Sequence, residues 1–353
     1  MKGKCYINGI GAVSYQGVWH EQQLEEVEEV AVAMAHAKQP SYKELIAPAM
    51  IRRMSKGIKM GIYAAQQALD EAANPSLDAV LTGTGLGCLE DSEKFLKNIL
   101  DNDEEFLTPT SFIQSTHNTV GAQIALRLAC KAYNFTYVNG ATSFESALMD
   151  GLLQLQYDDA QHILVGAVDE ISGQTFVFKQ AINEVKDDAV HETIKQSSTA
   201  GVNFGEGSTF FVLGNTKSTS SYAEVVDVVL QNHVDLSAVD DFVRSFLTSN
   251  GLSIADIAVL GIGNNGDLVF DAYYTSIATV FNDSTIFYYK HLTGHSDVAS
   301  AFGMALGADI LKKQTVHDTI LWREGVHSSI EFVLLYNQYQ GNNHSLTLLK
   351  AIG

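Results

Sequence analysis

The sequence predicts an α/β protein made of two similar halves, and three observations carry that reading. Short runs rich in β-branched and aromatic residues alternate with segments of helical period along the chain. Residues 135–168 read strand, helix, strand in order, which implies a parallel crossover. The alternation then begins again near residue 217. We therefore expect halves of 1–216 and 217–353, packed as one body, with no low-complexity linker and only four prolines.

Residues 4–13 read as the first strand. Residues 51–73 read as one helix, with Ile51, Met54, Ile58, Ile62, Ala65 and Leu69 on one face. Residues 79–83 form a short buried strand before a glycine-rich turn (Gly83, Gly85, Gly87). Residues 120–132 are apolar enough for a buried helix. Then come a strand at 135–139, a helix at 143–155 and a strand at 162–168. Thr142 with Glu145 predicts a capping box at that helix start. The polar stretch 173–202 reads as loop, and 209–213 as a strand. The second block predicts strands at 225–230, 257–261 and 285–289. Its helices fall near 239–248, 271–281 and 298–311. Two strands, 330–336 and 346–349, close the chain around a turn at 341–343.

With 353 residues and 46% hydrophobic side chains, a large core can be built. A net charge of −19 argues against nucleic acid or an anionic membrane as the main partner. No apolar run approaches the roughly 20 residues that span a bilayer. Residues 1–13 carry Lys2 and Lys4 but no clear cleavage site. A soluble, cytoplasmic protein is expected. Cys5, Cys88 and Cys130 are scattered and show no metal spacing, which fits a reducing compartment. Cys88 reads as a small core residue. Residues 51–60 run against the acidic trend, with Arg52, Arg53, Lys56 and Lys59 and no acid. They read either as a solvated helix face or as a docking patch for an acidic partner.

Gly261-Ile-Gly263-Asn-Asn-Gly266 follows a strand, with Asp283 beyond it, and matches the dinucleotide fingerprint in form. It sits deep in the second half, however, rather than opening a first crossover. Five other segments say more when taken together: Tyr6 to Ser14 (YINGIGAVS), Arg52-Arg53-Met54, Val138-Asn-Gly-Ala-Thr-Ser143 with its helix and the strand ending Val165 to Glu170, Phe204-Gly-Glu-Gly207 before a strand, and Lys290-His-Leu-Thr-Gly-His295 before a small-residue helix.

In this ordered set the sequence resembles the β-ketoacyl-acyl-carrier-protein synthases, over nearly the whole chain. The resemblance implies a thiolase-like fold, two mixed-sheet α/β halves layered α-β-α-β-α. In that family a cysteine at the start of a buried helix takes the acyl chain, where the helix terminus favours a thiolate. Two histidines promote decarboxylation of a malonyl unit, and a lysine supports the second. Carried over residue by residue, the cysteine position is Ala141, which has no nucleophile. The first histidine position is Gly263, which makes the GxGxxG a degenerate catalytic loop before Asp271. The second histidine is His295 and the lysine is Lys290. The glycine-rich gate falls near Tyr339 to Asn343, with its glycines depleted. Arg52, Arg53 and Lys56 fall where relatives meet the carrier protein. His117 falls on the dimer-facing wall of the acyl pocket.

The resemblance implies no cofactor and no metal. It implies an acyl carrier protein as partner, together with a homodimer or a heterodimer with a cysteine-bearing ketosynthase. Two functions stay open. One is a non-condensing, chain-length-factor-like subunit in fatty-acid or polyketide synthesis, with aryl-polyene pathways as a class that uses such pairs. The other is a repurposed acyltransferase or thioesterase using His295 with Ser143 or a water, helped by backbone N–H groups at Ala141 and near Tyr339. A carrier-binding homodimer without catalysis is a third reading. Thr142 and Ser143 also read as plain helix caps. His295 also reads as a satisfied interior histidine, and Lys290 as a structural partner of Glu206 or another acid.

Overall fold

The computed structural model describes residues 3–20, 24–105, 107, 109–187 and 189–353. Met1 and Lys2, part of the leader reading above, lie outside them. Among the described residues five principal strands of each half share one topology, within a 12-stranded sheet that also carries the short strands Gly17–Val18 and Leu321–Arg323. In the first half the strands follow the chain as Tyr6–Ser14, Ala79–Gly83, Tyr133–Tyr137, His162–Asp169 and Gly207–Gly214. In the second they are Glu224–His233, Val259–Ile262, Thr285–Tyr288, Phe332–Tyr339 and Asn342–Lys350. Numbered from one to five within each half, both sheets run third, second, fourth, fifth, first. In both, the third, second and fourth strands are parallel and the fifth is antiparallel to its neighbours. The two sheets join where Tyr6 pairs with Glu224.

Helices sort into three layers around these sheets. Ser143–Gln156 and Ser300–Lys313 each follow a third strand, and each touches strands of both halves. They form the middle layer, and the largest core gathers on them, with Ala147, Leu148, Leu152, Ala301, Met304 and Ala305. Lys56–Glu71 and Thr119–Arg127 cover the outer face of the first sheet through Ile58, Ile62, Leu69 and Ile124. Val239–Ser249 and Asp271–Val280 cover the second through Val243, Leu247, Tyr274 and Ile277. This is the layered α-β-α-β-α arrangement expected for a thiolase-like chain.

The expected helix over 51–73 is two pieces. Pro48–Ile51 makes one turn, the chain breaks over Arg52 to Ser55, and Lys56–Glu71 begins anew. The Ser55 side chain accepts from the Ile58 N–H at 3.2 Å and caps the second piece. The cations of 51–60 therefore do not share one helical face. The stretch 173–202 is not all loop, because Gly173–Ala181 is a helix. The last hairpin turns at Gln340 and Gly341, not at 341–343, with Tyr339 paired to Asn342. Both turn residues have positive φ, 55° and 67°, the geometry of a two-residue primed turn. Among the described residues no helix is long and apolar enough to cross a membrane.

The first strand packs unusually close to the helix Lys56–Glu71. A Cβ on Gly9 or Gly11 would stand 2.1 Å from the carbonyl oxygens of Ala68 and Ala64. The alanine-rich face of that helix is what permits the approach. Gly11→Ala must push strand and helix apart, and we expect it to cost about 3 kcal/mol, the upper range for overpacking. Urea unfolding of the variant beside the parent measures this.

Candidate functional site

Repetition of one topology brings four loops together, from the carboxyl ends of the second and third strands of both halves. Such ends are where open α/β sheets place their ligands. Contacts between the halves bear this out at one point, where a Cβ on Gly85 would strike the Asp297 carboxyl at 2.2 Å, and the closing hairpin joins them, since a Cβ on Gly140 would come within 3.9 Å of Asn343 Nδ2.

In the first half, a short 3-10 turn, Gly140–Thr142, leads into the helix Ser143–Gln156. Ala141 is buried there and presents only a methyl group. The expected capping box is absent. Thr142 Oγ1 donates to the Asn139 carbonyl at 3.0 Å, within its own turn. Glu145 points inward instead, accepting from Ser345 Oγ at 3.0 Å, and burial pushes its carboxyl above the ordinary range. Ser143 Oγ donates to the Gly140 carbonyl at 2.7 Å and accepts from the Asn139 N–H at 2.8 Å. Both capacities of that hydroxyl serve the turn.

In the second half, the one-turn helix Lys290–Thr293 ends at Gly294, whose φ is +71°. Gly294 and Gly205 lie back to back, with a Cβ position on either 2.8 Å from the other's Cα. This lets the Phe204-Gly-Glu-Gly207 segment grip His295: its N–H donates to Asn203 O and its carbonyl accepts from Gly205 N, each at 2.7 Å. His295 is 4% exposed. Its Nδ1 lies 3.1 Å from Lys290 Nζ, which also donates to Asn337 Oδ1 at 2.9 Å. With the lysine donating to Nδ1, the ring proton sits on Nε2. Burial, then Lys290, hold the imidazole far below its usual range, so the ring is neutral. Among the described residues Nε2 has no partner. Lys290 does not pair with Glu206, contrary to one expectation, because Glu206 holds Lys56 at 2.7 Å.

The space beside Gly263, where the resemblance expects the first histidine, is filled by other segments. A Cβ on Gly263 would stand 2.3 Å from Asn337 Oδ1 and 2.8 Å from the Tyr289 hydroxyl. No imidazole fits without displacing both. The rest of that loop is consumed by its own bonds. Gly266 N donates to Asn264 Oδ1 at 2.9 Å and Asp267 N to Asn265 Oδ1 at 3.2 Å, leaving those amides to no pyrophosphate.

Tyr339 stacks on His295, with ring centres 4.7 Å apart and planes at 21°. Its hydroxyl donates to Glu184 at 3.4 Å, and Glu184 pairs with Lys179 at 2.8 Å. A directly paired two-residue turn follows, so the expected gate has no loop length here. Arg52 and Arg53 are exposed in the broken turn. Lys56 is not a free docking cation, since it is tied to Glu206 and, at 3.0 Å, to Glu90. His117 is exposed and packs on Gly87, apart from the Lys290–His295 pair. Cys88 is buried, with Ser55 Oγ 3.3 Å from its sulfur.

Sequence reasoning missed Asn337, Tyr289, Glu145 and the carboxyl pair Asp169 and Asp297. Asp169 accepts from Thr84 Oγ1, Gly85 N and Leu86 N at 2.8–3.1 Å. Burial, with Asp297 nearby, raises it to about 7. The one readable signal was polar Asn337 and Gln338 ending an apolar strand.

Burial lowers Lys290 from 10.5 to about 7. Between those values the unfolded chain holds the proton and the folded chain does not. Stability should therefore rise with pH across that window and be flat in this respect below it. Lys290→Met is expected to remove the rise, read from denaturant titrations stepped from pH 7 to pH 10.

Residues 19–199, half of the chain, match the family described as beta-ketoacyl synthase, N-terminal domain. No curated protein matches the chain. Among solved structures, the ishigamide ketosynthase/chain length factor superposes with a TM-score of 0.82 at 18% identity, covering 100% of both chains. A type II polyketide acyl-carrier protein in complex with its ketosynthase bound to the hexaketide (AntDE:AntF) gives 0.78 at 12% identity, again over 100% of both. The ketosynthase ApeO in complex with its chain length factor ApeC from Xenorhabdus doucetiae gives 0.74 at 16%, over 99% and 98%. At these identities the superpositions speak for the fold, and the family match over 19–199 makes the chain a member of the β-ketoacyl synthase family.

Proposed function

We propose that this chain is a non-condensing, chain-length-factor-like subunit of a ketosynthase pair in fatty-acid or polyketide synthesis, with aryl-polyene assembly as the pathway class. We place its halves at 1–216 and 217–353. One observation carries the reading. Ala141, where the resemblance expects the nucleophile, is buried and offers only a methyl, and Gly263, where it expects the first histidine, is crowded by Asn337 and Tyr289. A subunit that only shapes and supports its partner needs neither group.

The edge strand supports a partner. Tyr133–Tyr137 ends the sheet with unpaired backbone, and Tyr133 and Phe135 are each 46% exposed. Their rings stack at 6.1 Å, and Phe135 meets Tyr137 at 4.9 Å. Flanking helices add exposed Leu126, Leu153 and Tyr157. An open aromatic edge of this kind invites another strand. The neighbouring folds include a ketosynthase complexed with its chain length factor and one complexed with an acyl-carrier protein, which supports the same two partners here. Exposed Arg52 and Arg53 are the cations we assign to the acidic carrier, and any such contact weakens with salt.

The unpartnered His295 Nε2–H favours a second reading, hydrolysis or transfer of an acyl thioester, in which it donates to the thioester carbonyl oxygen while water attacks the carbonyl carbon and its proton leaves with the thiol. Ser143 is the weaker nucleophile, because its hydroxyl is committed to the elbow turn.

Incubation with acyl and malonyl thioesters, on coenzyme A and on carrier protein, separates the two. Intact mass should show no adduct and thiol assay no release. Ala141→Cys should gain an acyl adduct yet release no carbon dioxide from malonyl carrier. Steady thiol release by the parent, lost in His295→Ala, would establish the enzyme instead. Phe135→Lys should abolish co-purification with a cysteine-bearing ketosynthase while leaving the thermal midpoint unchanged, since the ring is half exposed.

A further inference from the structure

Lys186 is buried, with a side chain that is 0% exposed, and neither the family motifs nor the proposed function uses it. Five oxygens converge on its Nζ. Thr199 Oγ1 lies at 2.8 Å, Ser197 Oγ at 2.9 Å, the Gly266 carbonyl at 3.2 Å, the Thr199 carbonyl at 3.4 Å and Glu192 Oε2 at 3.6 Å. An ammonium has three N–H donors, so five oxygens exceed what it can satisfy by hydrogen bonds. Shells of carbonyl and hydroxyl oxygens are instead how proteins hold a dehydrated monovalent cation.

The cage is built without the lysine. Gly266 has a φ of +76°, and Asn264 Oδ1 accepts from its N–H, which fixes that peptide. Glu192 is held by Ser198 N, Ser198 Oγ and Thr199 Oγ1 at 2.8–3.2 Å. Leu268 N donates to the Thr199 carbonyl at 3.2 Å. One carboxylate among four neutral oxygens suits a single positive charge.

We infer that these oxygens form a monovalent-cation site of potassium or ammonium size, which the chain fills with its own Lys186 to pin the 263–267 loop against residues 192–199. The consequence reaches the candidate site. Gly263, at the start of that loop, abuts Asn337, which binds Lys290. Lys186 is thus a positioning residue for the wall that closes the first histidine position. This inference is independent of the proposed function.

Lys186→Met removes the charge and leaves the oxygens. In choline chloride the variant should melt at least 8 °C below the parent, with faster hydrogen exchange over 263–267. Potassium or ammonium chloride at equal ionic strength should restore at least half of the lost midpoint and slow that exchange. Lithium chloride should not, and the parent should be indifferent to the cation. Potassium acting no better than choline would overturn the inference and leave Lys186 a hydrogen-bonding strut. If the variant is recovered only as aggregate, refolding from urea in potassium against choline chloride asks the same question. A higher soluble yield in potassium supports the site, and equal or zero yields overturn it.

Discussion

The site depends on two helices, Ser143–Gln156 and Ser300–Lys313, being enclosed between two sheets. Ser300–Lys313 is buried along almost its whole length, and a helix so enclosed must carry small or apolar residues around its circumference. That explains Ala301, Gly303, Ala305, Gly307 and Ala308 on the second helix, where a Cβ on Gly303 would strike the Tyr289 ring at 2.6 Å. Each helix start and the turn before it are then fixed in a buried interior. Ala141 and His295 occupy corresponding turns in the two halves, each between a third strand and its buried helix. Their correspondence follows from the repeat.

Enclosure also dictates the electrostatics. Asp169, Glu145, Lys290 and His295 are all shifted towards their neutral forms, and in each the largest cause is burial. Removing a charge from water costs more than a single hydrogen-bonded neighbour returns. Glu206 goes the other way. Lys56, the exposed His36 ring and the Ala37 and Ile171 N–H groups surround it, and together they outweigh its burial. The Gly-Glu-Gly segment thus anchors Lys56 through its acid and grips His295 through its glycine backbone.

How much was legible follows from the kind of interaction. Strand and helix periods are local, and the ten strands and both central helices fell near their expected places. The helix break at Arg52–Ser55 was missed because the apolar spacing of Ile51, Met54 and Ile58 continues across it, while Ser55 caps with a single hydroxyl. The false capping box failed for a tertiary reason. Glu145 found Ser345, two hundred residues away, and a local motif cannot see that competitor. Gly263 was readable as a vacancy, but its filling was not. Asn337 and Tyr289 lie on other segments, and only the fold brings them to it.

The presence of Lys290 and His295 beside Ala141 and Gly263 has a physical explanation in the pairing of the two polar side chains. At the positions where the resemblance expects a cysteine and a histidine, Ala141 and Gly263 carry only a methyl and a hydrogen, groups that themselves need no hydrogen-bond partner. Lys290 and His295 are each other's hydrogen-bond partners at 3.1 Å, both deeply buried. Losing Lys290 strands His295 Nδ1, and losing His295 leaves Lys290 only Asn337; an unmade buried hydrogen bond costs about 1–3 kcal/mol, a sizeable share of a domain's stability. Apolar replacements can accumulate one at a time, whereas a buried polar pair must be lost together or kept. The pairing alone is therefore enough to account for the presence of both side chains, whatever chemistry they serve.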